Sequence, residues 1–521
     1  MKFATVAAAM LPLAAAYTKE QYRSGAVMQW MMEAKESAWA VARAAGEYKS
    51  ERYNGFEKSK KGDRIRCING KAEAVAGDAN QTYACNGIDM YDFKTHAELG
   101  SNGGEGSGSW GVTLQGRDFI AIGQTDGAAF AEVTKQGKLV YLGRLPAQST
   151  PIIWREIKAN GPYMIIGSEA VAHGVQIFDM RKLLKVDPKK PKTFSTLTDV
   201  TVFNDPIGLP TGRSHNVVVN EERNYAVAVG AAPRNTTCNS GLVFINMDNP
   251  TKPYMSGCAP QDGYVHDAQC IVYRGPDKKY YGRDLCYGYN EGEFFPMFFF
   301  QLFQLHLASE ITANVLIDTL TIYDVTNKRG FNAAKIISVT PYKGASYSHQ
   351  GWVLDPNWQT HLVLDDELDE GLVVPDEVNP ESPALDGFPV TYIFDITNLE
   401  KPINTGFYKS KVKSVDHNQF VHNGLSFQSN YQAGLRVLDV SSIPRDPSGK
   451  SVREVAFFDT YPQDDSLPGG GLPDWTYGTW SHYSFPSGWI VINTIDRGPF
   501  VVKLNNFRKR GFGSEYVKRG A

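Results

Sequence analysis

Residues 214–219 read SHNVVV: a polar residue, a histidine, an Asn, Asp or Gln, and then an apolar run. Three later stretches follow this order, one of them with Val265 at the first position. The copies are VHDAQCIVY at 265–273, SHQGWVL at 348–354 and DHNQFV at 416–421. Further along the chain from each copy, a second apolar run ends in Asp or Asn, at Asn246, Asp324, Asp395 and Asp439. Four paired copies indicate a repeated structural unit.

Weaker copies bring the number of units to seven. Their paired phrases are SWGVTL with AAFAEV (109–114, 128–133), WREIKA with GVQIFD (154–159, 174–179) and SHYSF with PFVVKL (481–485, 499–504). The first phrase fits an innermost strand, the second fits a third strand, and pieces such as KLVYLGRL (138–145) or REVAFFDTY (453–461) fit a fourth. The sequence therefore predicts an all-β fold, a seven-bladed β-propeller.

Composition limits the class of partner. The chain has 521 residues, a formal net charge of −3, 12% aromatic residues and 49 glycines, which suits a β-rich protein with many tight turns. There is no basic stripe that would attract nucleic acid. We expect a monomer whose partner is an unknown protein, a glycan or a small ligand.

The first sixteen residues, MKFATVAAAMLPLAAA, have a basic start, an apolar middle and a small-residue end, the pattern of a secretory signal peptide. We expect a secreted protein, in the extracellular space or cell wall, without a transmembrane segment. Secretion predicts that the six cysteines form disulfides. Fifteen connectivities are open, and local pairing is favoured: Cys67 with Cys85, Cys238 with Cys258, and Cys270 with Cys286. Sequons at Asn80 and Asn235 predict glycosylation in polar loops.

The predicted domains run in order along the chain. They are a signal peptide (1–16), a helical segment (17–66), a disulfide-bracketed lead-in (67–107), the propeller (108–504) and a C-terminal tail (505–521). Met28, Met31, Met32, Trp39 and Ala42 share one face of the helix, and Gly46 stops it. Packing against the body or removal as a leader is favoured over a membrane-surface helix.

The seventh unit ends at its third strand, residues 499–504, because the tail has no apolar run to form a fourth strand. An unpaired blade edge would be exposed. We predict that the segment around Met90 to Leu99 supplies the missing strand and closes the ring.

From Cys67 to Leu504 the chain resembles the choice-of-anchor B family, secreted propellers built from LVIVD repeats, and especially its fungal members. The likeness is carried by CINGKAEAVAGDANQTYACNGIDMYDF (67–93), WREIK, GSEAVAHGVQIFDM (167–180), SHNVVVNEE, GYVHDAQCIVYRGPD, SHQGWVLD, DDELDE (365–370), DHNQF and SNYQAGLRVLDV (429–440). The resemblance implies the fold and secretion, and it implies no particular reaction.

The chain departs from the family pattern at one place. Where the family runs Asn-Glu-Asp-Thr-Leu-Thr, 26 residues, Gly292 to Ile317, separate Glu291 from Asp318. The insert includes FFPMFFFQLFQLHL, which is too short to span a membrane and too apolar for an exposed loop. Because codons at its ends can supply splice donor, branch and acceptor sequences, we predict that it is translated intron.

Four histidines take the same position at the head of successive inner strands: His215, His266, His349 and His417. Inner strands surround the channel of a propeller, so these imidazoles are predicted to converge at one mouth. Converging neutral imidazoles bind zinc, copper, iron or nickel, and their neighbours could orient them, namely Asn216, Asp267, Gln350 and Asn418. The alternative is that each histidine bonds to the next blade and only ties the ring together.

The equivalent positions in the other three repeats are predicted to be Trp110, Arg155 and His482. Arg155 would repel a cation in the channel, which favours an anionic ligand or a structural role for the histidines. His173, beside Gly174, either lines the channel or closes a turn, and the turn is favoured. Serine triads built on Ser214 or Ser348 lack the sequence context of a nucleophile.

Two kinds of acidic residue remain. The run at 365–370 offers oxygen ligands of the kind that calcium prefers, from Asp365, Asp366, Glu367, Asp369 and Glu370. It lacks the EF-hand spacing, so a solvated loop is favoured. The Asp that ends each third strand is expected to be structural, accepting backbone N–H groups of the next turn.

No intact catalytic motif is present. The favoured function is a non-catalytic extracellular or cell-surface propeller that binds a partner at its channel mouth. The alternative is a metal-dependent enzyme with a transition metal on the channel histidines. The cofactor, if any, is therefore a transition metal or calcium.

Overall fold

The computed structural model describes residues 21, 24–53, 56, 64–291, 318–370 and 381–505. Within these ranges the strands form seven sheets of four to six strands. The first strands of neighbouring sheets contact one another around a ring, except that the sheet containing Gln419–His422 contacts Thr479–Ser484 through its second strand, Leu425–Ser429. The predicted seven-bladed β-propeller is confirmed, and the paired phrases of the sequence form the first and third strands of the blades.

Blades 1 to 3 follow the chain in order. Blade 1 contains Gly106–Leu114, Arg117–Gln124, Gly127–Val133 and Leu139–Pro146, with Lys192–Thr193 at its edge. Blade 2 contains Ile157–Asn160, Tyr163–Ile166, Val175–Asp179 and Thr201–Phe203. Blade 3 contains Asn216–Asn220, Tyr225–Val229, Leu242–Asn246 and Tyr254–Ala259, with Gly330–Phe331 at its edge. Short 3₁₀ turns lie outside the blades or between their strands, at Ser50–Tyr53, Ala79–Gln81 and Met180–Lys185.

Blades 4 to 7 complete the ring. Blade 4 contains Tyr264–Val272, Asp284–Glu291, Asp318–Asp324 and Lys335–Pro341. Blade 5 contains Ser348–Val353, His361–Asp366, Val390–Asp395 and Ile403–Lys409. Blade 6 contains Gln419–His422, Leu425–Ser429, Leu435–Asp439 and Arg453–Phe458, extended by Thr82–Asn86 and Lys71–Glu73. Blade 7 contains Thr479–Ser484, Ile490–Thr494, Pro499–Leu504 and Ile88–Phe93.

The ring is closed by a strand from the N-terminal side of the chain. Ile88–Phe93 pairs antiparallel with Pro499–Leu504, with Met90 opposite Val502. The predicted closing segment is confirmed, although its strand starts two residues before Met90 and ends at Phe93. The preceding residues also extend blade 6, where Cys85 pairs with Phe458. The lead-in therefore joins the last two blades.

Three disulfides form with the local pairing that the sequence favoured. They are Cys67–Cys85, Cys238–Cys258 and Cys270–Cys286. The third joins facing residues of the first two strands of blade 4, and the second ties a loop of blade 3 to its fourth strand. Each disulfide therefore stabilises contacts within a single blade or within the lead-in.

The residues that end the third strands hold the following turns. Asp324 accepts the backbone N–H of Thr326, and Asp439 accepts that of Ser441, both at 3.1 Å. Asp395 accepts the backbone N–H and the hydroxyl of Thr397. The structural role predicted for these side chains is confirmed.

Helix α1, Ala26–Ala45, is the one long helix in the described ranges. It ends at Gly46, whose left-handed φ of 72° lets its N–H reach the carbonyl of Arg43. The face that packs on the propeller contains Val27, Met28, Met31, Lys35, Trp39 and Ala42. Packing against the body, the favoured prediction, is therefore observed. No helix among the described residues is long and apolar enough to cross a membrane.

Residues 1–16, 292–317 and 506–521 fall outside the described ranges, so the signal peptide, the insert and nearly all of the tail are not tested. The strands on either side of the insert are paired with each other, with Glu291 opposite Asp318. Glu291 and Asp318 therefore lie at the same end of the second and third strands of blade 4.

Candidate functional site

The four repeat histidines lie side by side at one end of the channel. The ring centroids are 4.2 Å apart for His215 and His266, 4.4 Å for His266 and His349, and 4.3 Å for His349 and His417. We use the name mouth for this end of the channel, which is formed by these histidines and by Trp154, Glu156, Glu367, Tyr431, Trp475 and Trp480. The convergence predicted from the repeat is present, as an arc spanning blades 3 to 6.

Bulges in the inner strands turn the mouth residues inward. In the first strands of blades 4, 5 and 7 the register of strand pairing shifts at one residue. The residues left without a paired partner on the next strand are His266, His349 and Trp480. A bulge re-aims one side chain without ending the strand. The position equivalent to the histidines in blade 7 is therefore Trp480.

Each histidine of the arc has its Nδ1 beside an oxygen atom. The Nδ1 of His266 is 2.7 Å from the carbonyl of His349, and that of His417 is 2.7 Å from the carbonyl of Trp480. The Nδ1 atoms of His215 and His349 lie 3.0 Å and 3.2 Å from Glu169 Oε1 and Asp365 Oδ1. A carbonyl or carboxylate oxygen accepts, so these contacts assign the proton to Nδ1 and leave Nε2 as an acceptor.

The predicted orienting residues play a smaller part. Asn418 is the one whose side chain touches its imidazole, with its amide nitrogen 2.9 Å from His417 Nδ1. That amide also donates to the Trp480 carbonyl at 2.9 Å. We assign Nδ1 of His417 as the protonated atom because the carbonyl, at 2.7 Å, can only accept. Asn216 and Asp267 accept backbone N–H groups of their own strands, and Gln350 accepts one from blade 6.

Glu367 faces the free nitrogens of two histidines. Its Oε1 is 3.6 Å from His417 Nε2, and its Oε2 is 4.0 Å from His349 Nε2. One ligand atom from each of these three residues can be chosen so that all lie within 4.8 Å of one another, and no other such group occurs in the described part of the chain. Among the described residues no three histidines form such a group, and a carboxylate takes the third place beside His349 and His417.

Burial shapes the protonation of this group. Burial lowers the pKa of His417 to about 4, although Glu367 opposes the shift. Burial and the neighbouring imidazoles hold the pKa of His349 well below its ordinary value. Burial alone would raise the pKa of Glu367, but Lys35 and His417 outweigh it and lower that pKa. Two neutral imidazole lone pairs thus face a buried carboxylate, an arrangement that requires a cation.

Helix α1 supplies that cation. The Nζ of Lys35 lies 2.5 Å from Glu367 Oε1 and 3.3 Å from the hydroxyl of Tyr431. Both charged side chains are almost completely buried, with 3% and 1% of their surface exposed. The ammonium also lies 5.7 Å from the ring centre of Tyr431 and 5.2 Å from that of Trp475. Burial lowers the pKa of Lys35, and Glu367 partly offsets this shift.

The three flanking positions predicted for the mouth are not in it. Arg155 is fully buried and turns away from the mouth, donating to the carbonyl of Gln124 in blade 1 at 3.3 Å and to His173 Nε2 at 2.8 Å, so it does not oppose a cation there. Its neighbour Glu156 takes the inward position and accepts from Trp480 Nε1 at 2.6 Å. His482 bonds to the hydroxyl of Ser429. Trp110 lies beyond the bulge of its strand and packs on Phe420 and Tyr483.

The acidic run at 365–370 is buried, so the prediction of a solvated loop is wrong. Asp365, Asp366, Glu367, Asp369 and Glu370 each expose 1% of their surface or less. Burial raises the pKa values of all but Glu367, and Asp416 adds to the shifts of Asp365, Asp369 and Glu370. Asp369 Oδ1 and Glu370 Oε2 have no hydrogen-bond partner among the described residues. Among the described residues, the acidic run by itself does not form a compact group of three ligands. Calcium binding therefore stays a prediction.

The remaining candidates are structural. His173 donates from Nδ1 to the carbonyl of Gly174 at 2.8 Å and accepts from Arg155, which fits the predicted turn. The hydroxyl of Ser348 bonds to that of Tyr342 at 2.9 Å rather than to a histidine. Ser348 is therefore not placed beside a histidine that could activate it as a nucleophile.

Sequence reasoning did not find Lys35, Glu156 or Trp480 as residues of the mouth. Lys35 was detectable, since it lies four residues from both Met31 and Trp39 and thus on the apolar face of the helix. Trp480 depends on the bulge in the first strand of blade 7, and Glu156 lies directly before the first strand of blade 2. No protein-family model and no curated protein matches this chain.

Proposed function

We propose that the chain is a secreted propeller of the LVIVD type, a non-catalytic extracellular or cell-surface protein that binds a cationic group at its channel mouth. The resemblance of residues 67–504 to that family and the three disulfides support secretion. The observation that carries the proposal is the ammonium of Lys35, inserted by α1 beside Glu367.

The mouth has the chemistry of an ammonium site. Glu367 provides the charge, Tyr431 provides a hydroxyl, and the rings of Tyr431 and Trp475 provide aromatic faces near the cation. A buried ion pair with one partner missing is strongly unfavourable, so the site selects for a positive charge. We infer that α1 is a built-in occupant and that the external ligand is a primary ammonium, on a protein or a small molecule.

Chemical rescue tests this proposal. In full-length Lys35→Ala the ammonium and its methylenes are removed, and n-butylammonium can replace them. We expect its melting temperature to rise with n-butylammonium concentration, as binding to the folded state requires. Wild type should show no such rise.

Three controls accompany the rescue. Sodium chloride at the same concentration tests the effect of charge in solution, and n-butanol at the same concentration tests the effect of the apolar chain. Lys158→Ala removes a second buried channel lysine, whose Nζ lies 5.1 Å from the ring centre of Trp110. A Lys35→Ala melting temperature that does not respond to n-butylammonium would contradict a cation-binding mouth.

A metal-dependent enzyme is the second candidate function. It is favoured by the arc His215, His266, His349 and His417, in which every Nδ1 bonds to an oxygen, since metal-binding histidines are held in this way. Elemental analysis of the protein as secreted should then give stoichiometric copper, zinc or iron. Metal-free protein whose melting temperature is unchanged by EDTA would exclude this candidate and leave the binding propeller.

A further inference from the structure

We infer that the mouth also forms a site for a divalent first-row transition-metal ion, with Nε2 of His349, Nε2 of His417 and a carboxylate oxygen of Glu367 as ligands. Lys35 occupies the place of the ion while α1 covers the mouth. The inference rests on the proposed cation-binding mouth and names a second class of cation for it.

The ligand atoms are close to the spacing that a metal needs. Around a tetrahedral ion with bonds of about 2.0–2.1 Å, ligand atoms lie about 3.3 Å apart. Glu367 Oε1 is 3.6 Å from His417 Nε2, its Oε2 is 4.0 Å from His349 Nε2, and one atom of each residue can be chosen so that all three lie within 4.8 Å of one another. Contractions of up to about 1.5 Å would reach the tetrahedral value.

The imidazoles are already oriented for coordination. His417 donates from Nδ1 to a backbone carbonyl, and His349 donates to the carboxylate of Asp365. Such partners fix the tautomer and make Nε2 a better donor to a metal. Two histidines and one carboxylate with an open fourth position are the ligand set of catalytic zinc sites and of non-haem ferrous sites.

The ammonium and the ion exclude each other. Lys35 Nζ lies 2.5 Å from the oxygen of Glu367 that faces His417. An ion bonded to that oxygen at about 2.0–2.2 Å would lie within about 4.7 Å of the ammonium. Two positive charges so close in a buried site repel strongly. Metal therefore enters only when Lys35 leaves.

The test uses full-length Lys35→Met with Co²⁺ and Zn²⁺ as probes. We expect one Co²⁺ per chain, a visible absorption band of low-symmetry cobalt, displacement by Zn²⁺, and an apparent affinity at least about 100-fold tighter than in wild type. Lys158→Met, which also removes a buried channel lysine, should bind cobalt no better than wild type.

Histidine variants in the Lys35→Met background locate the ion. His417→Ala should weaken cobalt binding at least about 100-fold, because a ligand is lost. His482→Ala is the matched control: its ring is also a buried histidine, but it bonds to Ser429 and lies outside the group of three, so the variant should keep one cobalt per chain. Equal loss in both variants would overturn the proposed ligand set.

A second test applies if the Lys35→Met variant does not fold. If Lys35→Met is not secreted as folded protein, Lys35→Gln and growth with added zinc are the second test. Zinc-dependent recovery of either variant supports the site, and no recovery in both overturns it.

The two proposals can fail separately. Rescue of Lys35→Ala by n-butylammonium with no cobalt bound to Lys35→Met would keep the binding propeller and overturn the metal site. Cobalt binding without rescue would support the metal site and overturn ammonium recognition. Neither signal would overturn both.

Discussion

The mouth of the propeller has two unlike halves, and α1 bridges them. On one side Trp39 of the helix packs between Trp154 and Trp480, with ring centroids 5.1 Å and 6.1 Å away. On the other side Lys35 meets Glu367 beside the histidine arc. The aromatic half holds the helix by burying apolar surface, which is not selective, whereas the polar half accepts only a cation. Affinity and selectivity are thus divided between two sides of one opening.

The largest expected effect comes from breaking the polar half. In metal-free buffer, Lys35→Met should lower the free energy of unfolding by about 3–5 kcal/mol, because Glu367 is left as an unpaired buried charge. Denaturant melts with EDTA measure this loss.

The double variant sharpens the result. Lys35→Met with Glu367→Gln removes both charges and should recover most of the lost stability. If the double variant is as unstable as the single one, Lys35 stabilises the mouth by packing rather than by charge.

The second effect lies in the loop that supports the aromatic half, between blades 6 and 7. Trp475, whose carbonyl accepts from Trp39, belongs to this loop, as does Asp464, which is 4% exposed. Burial raises the pKa of Asp464 to about 7, and the carboxyls of Asp465 and Asp474 add to the shift. Its ordinary value is about 3.9. Below about pH 4 the carboxyl is protonated in both the folded and the unfolded state, so the raised pKa has no net cost. The cost grows as the pH rises from about 4 to about 7, because only the unfolded state ionises in that range, and it is complete above pH 7.

Asp464→Asn should therefore stabilise the protein at pH 8 by up to about 4 kcal/mol and leave it unchanged near pH 4. The Asn side chain keeps an acceptor for the backbone N–H of Leu472. Thermal melts of both proteins across pH 4–8 test the prediction. Parallel curves for the two proteins would show that Asp464 ionises normally.

The fold could be predicted because the strands of each repeat are recognisable from its own sequence. Phrases with period-two or all-apolar character, such as SHNVVV (214–219) and GLVFIN (241–246), predict strands from local sequence alone. The closing strand could be predicted because the edge at residues 499–504 needed a partner. The disulfides followed from separations of 16 to 20 residues. These features are local, so a sequence can carry them.

The site was only partly predictable because it depends on contacts between distant parts of the chain. The convergence of the histidines follows from the symmetry of a propeller. In contrast, the choice of Trp480 over His482 and of Glu156 over Arg155 depends on inner-strand geometry, including a one-residue bulge in blade 7. The acidic run reads as a loop in sequence, and only its placement under α1 buries Glu367 against Lys35.

A third prediction concerns the edge of the polar half. Arg234, near the helix residue Met28, pairs with Glu291 at 2.8 Å, directly before the insert. With the insert Gly292 to Ile317 deleted, Glu291 and Asp318 would form a two-residue hairpin loop closed by the existing pair of Asn290 and Thr319. We expect the deletion variant to fold and to gain about 2 kcal/mol from the shorter loop.

Secretion yield and denaturant melts of the deletion variant test this directly, and sequencing of the mature transcript tests the intron origin. A transcript that keeps the insert, or loss of the Cys270–Cys286 disulfide on deletion, would contradict the prediction. The ion pair of Arg234 should be retained, which a melt of Arg234→Met in both backgrounds can check.

The smallest effect separates charge from packing at the helix itself. Trp39→Phe keeps an aromatic ring between Trp154 and Trp480 and removes the indole N–H, which donates to the carbonyl of Trp475 at 3.2 Å. The lost hydrogen bond contributes about 1 kcal/mol, and the smaller ring leaves a small cavity at this fully buried position. The free energy of unfolding should therefore fall by about 1–2 kcal/mol and the melting temperature by a few degrees. Because the polar half is untouched, Trp39→Phe should bind cobalt and n-butylammonium as weakly as wild type does. If this variant instead gains cation binding, the aromatic half controls access to the mouth, and the division between an unselective side and a selective side is wrong.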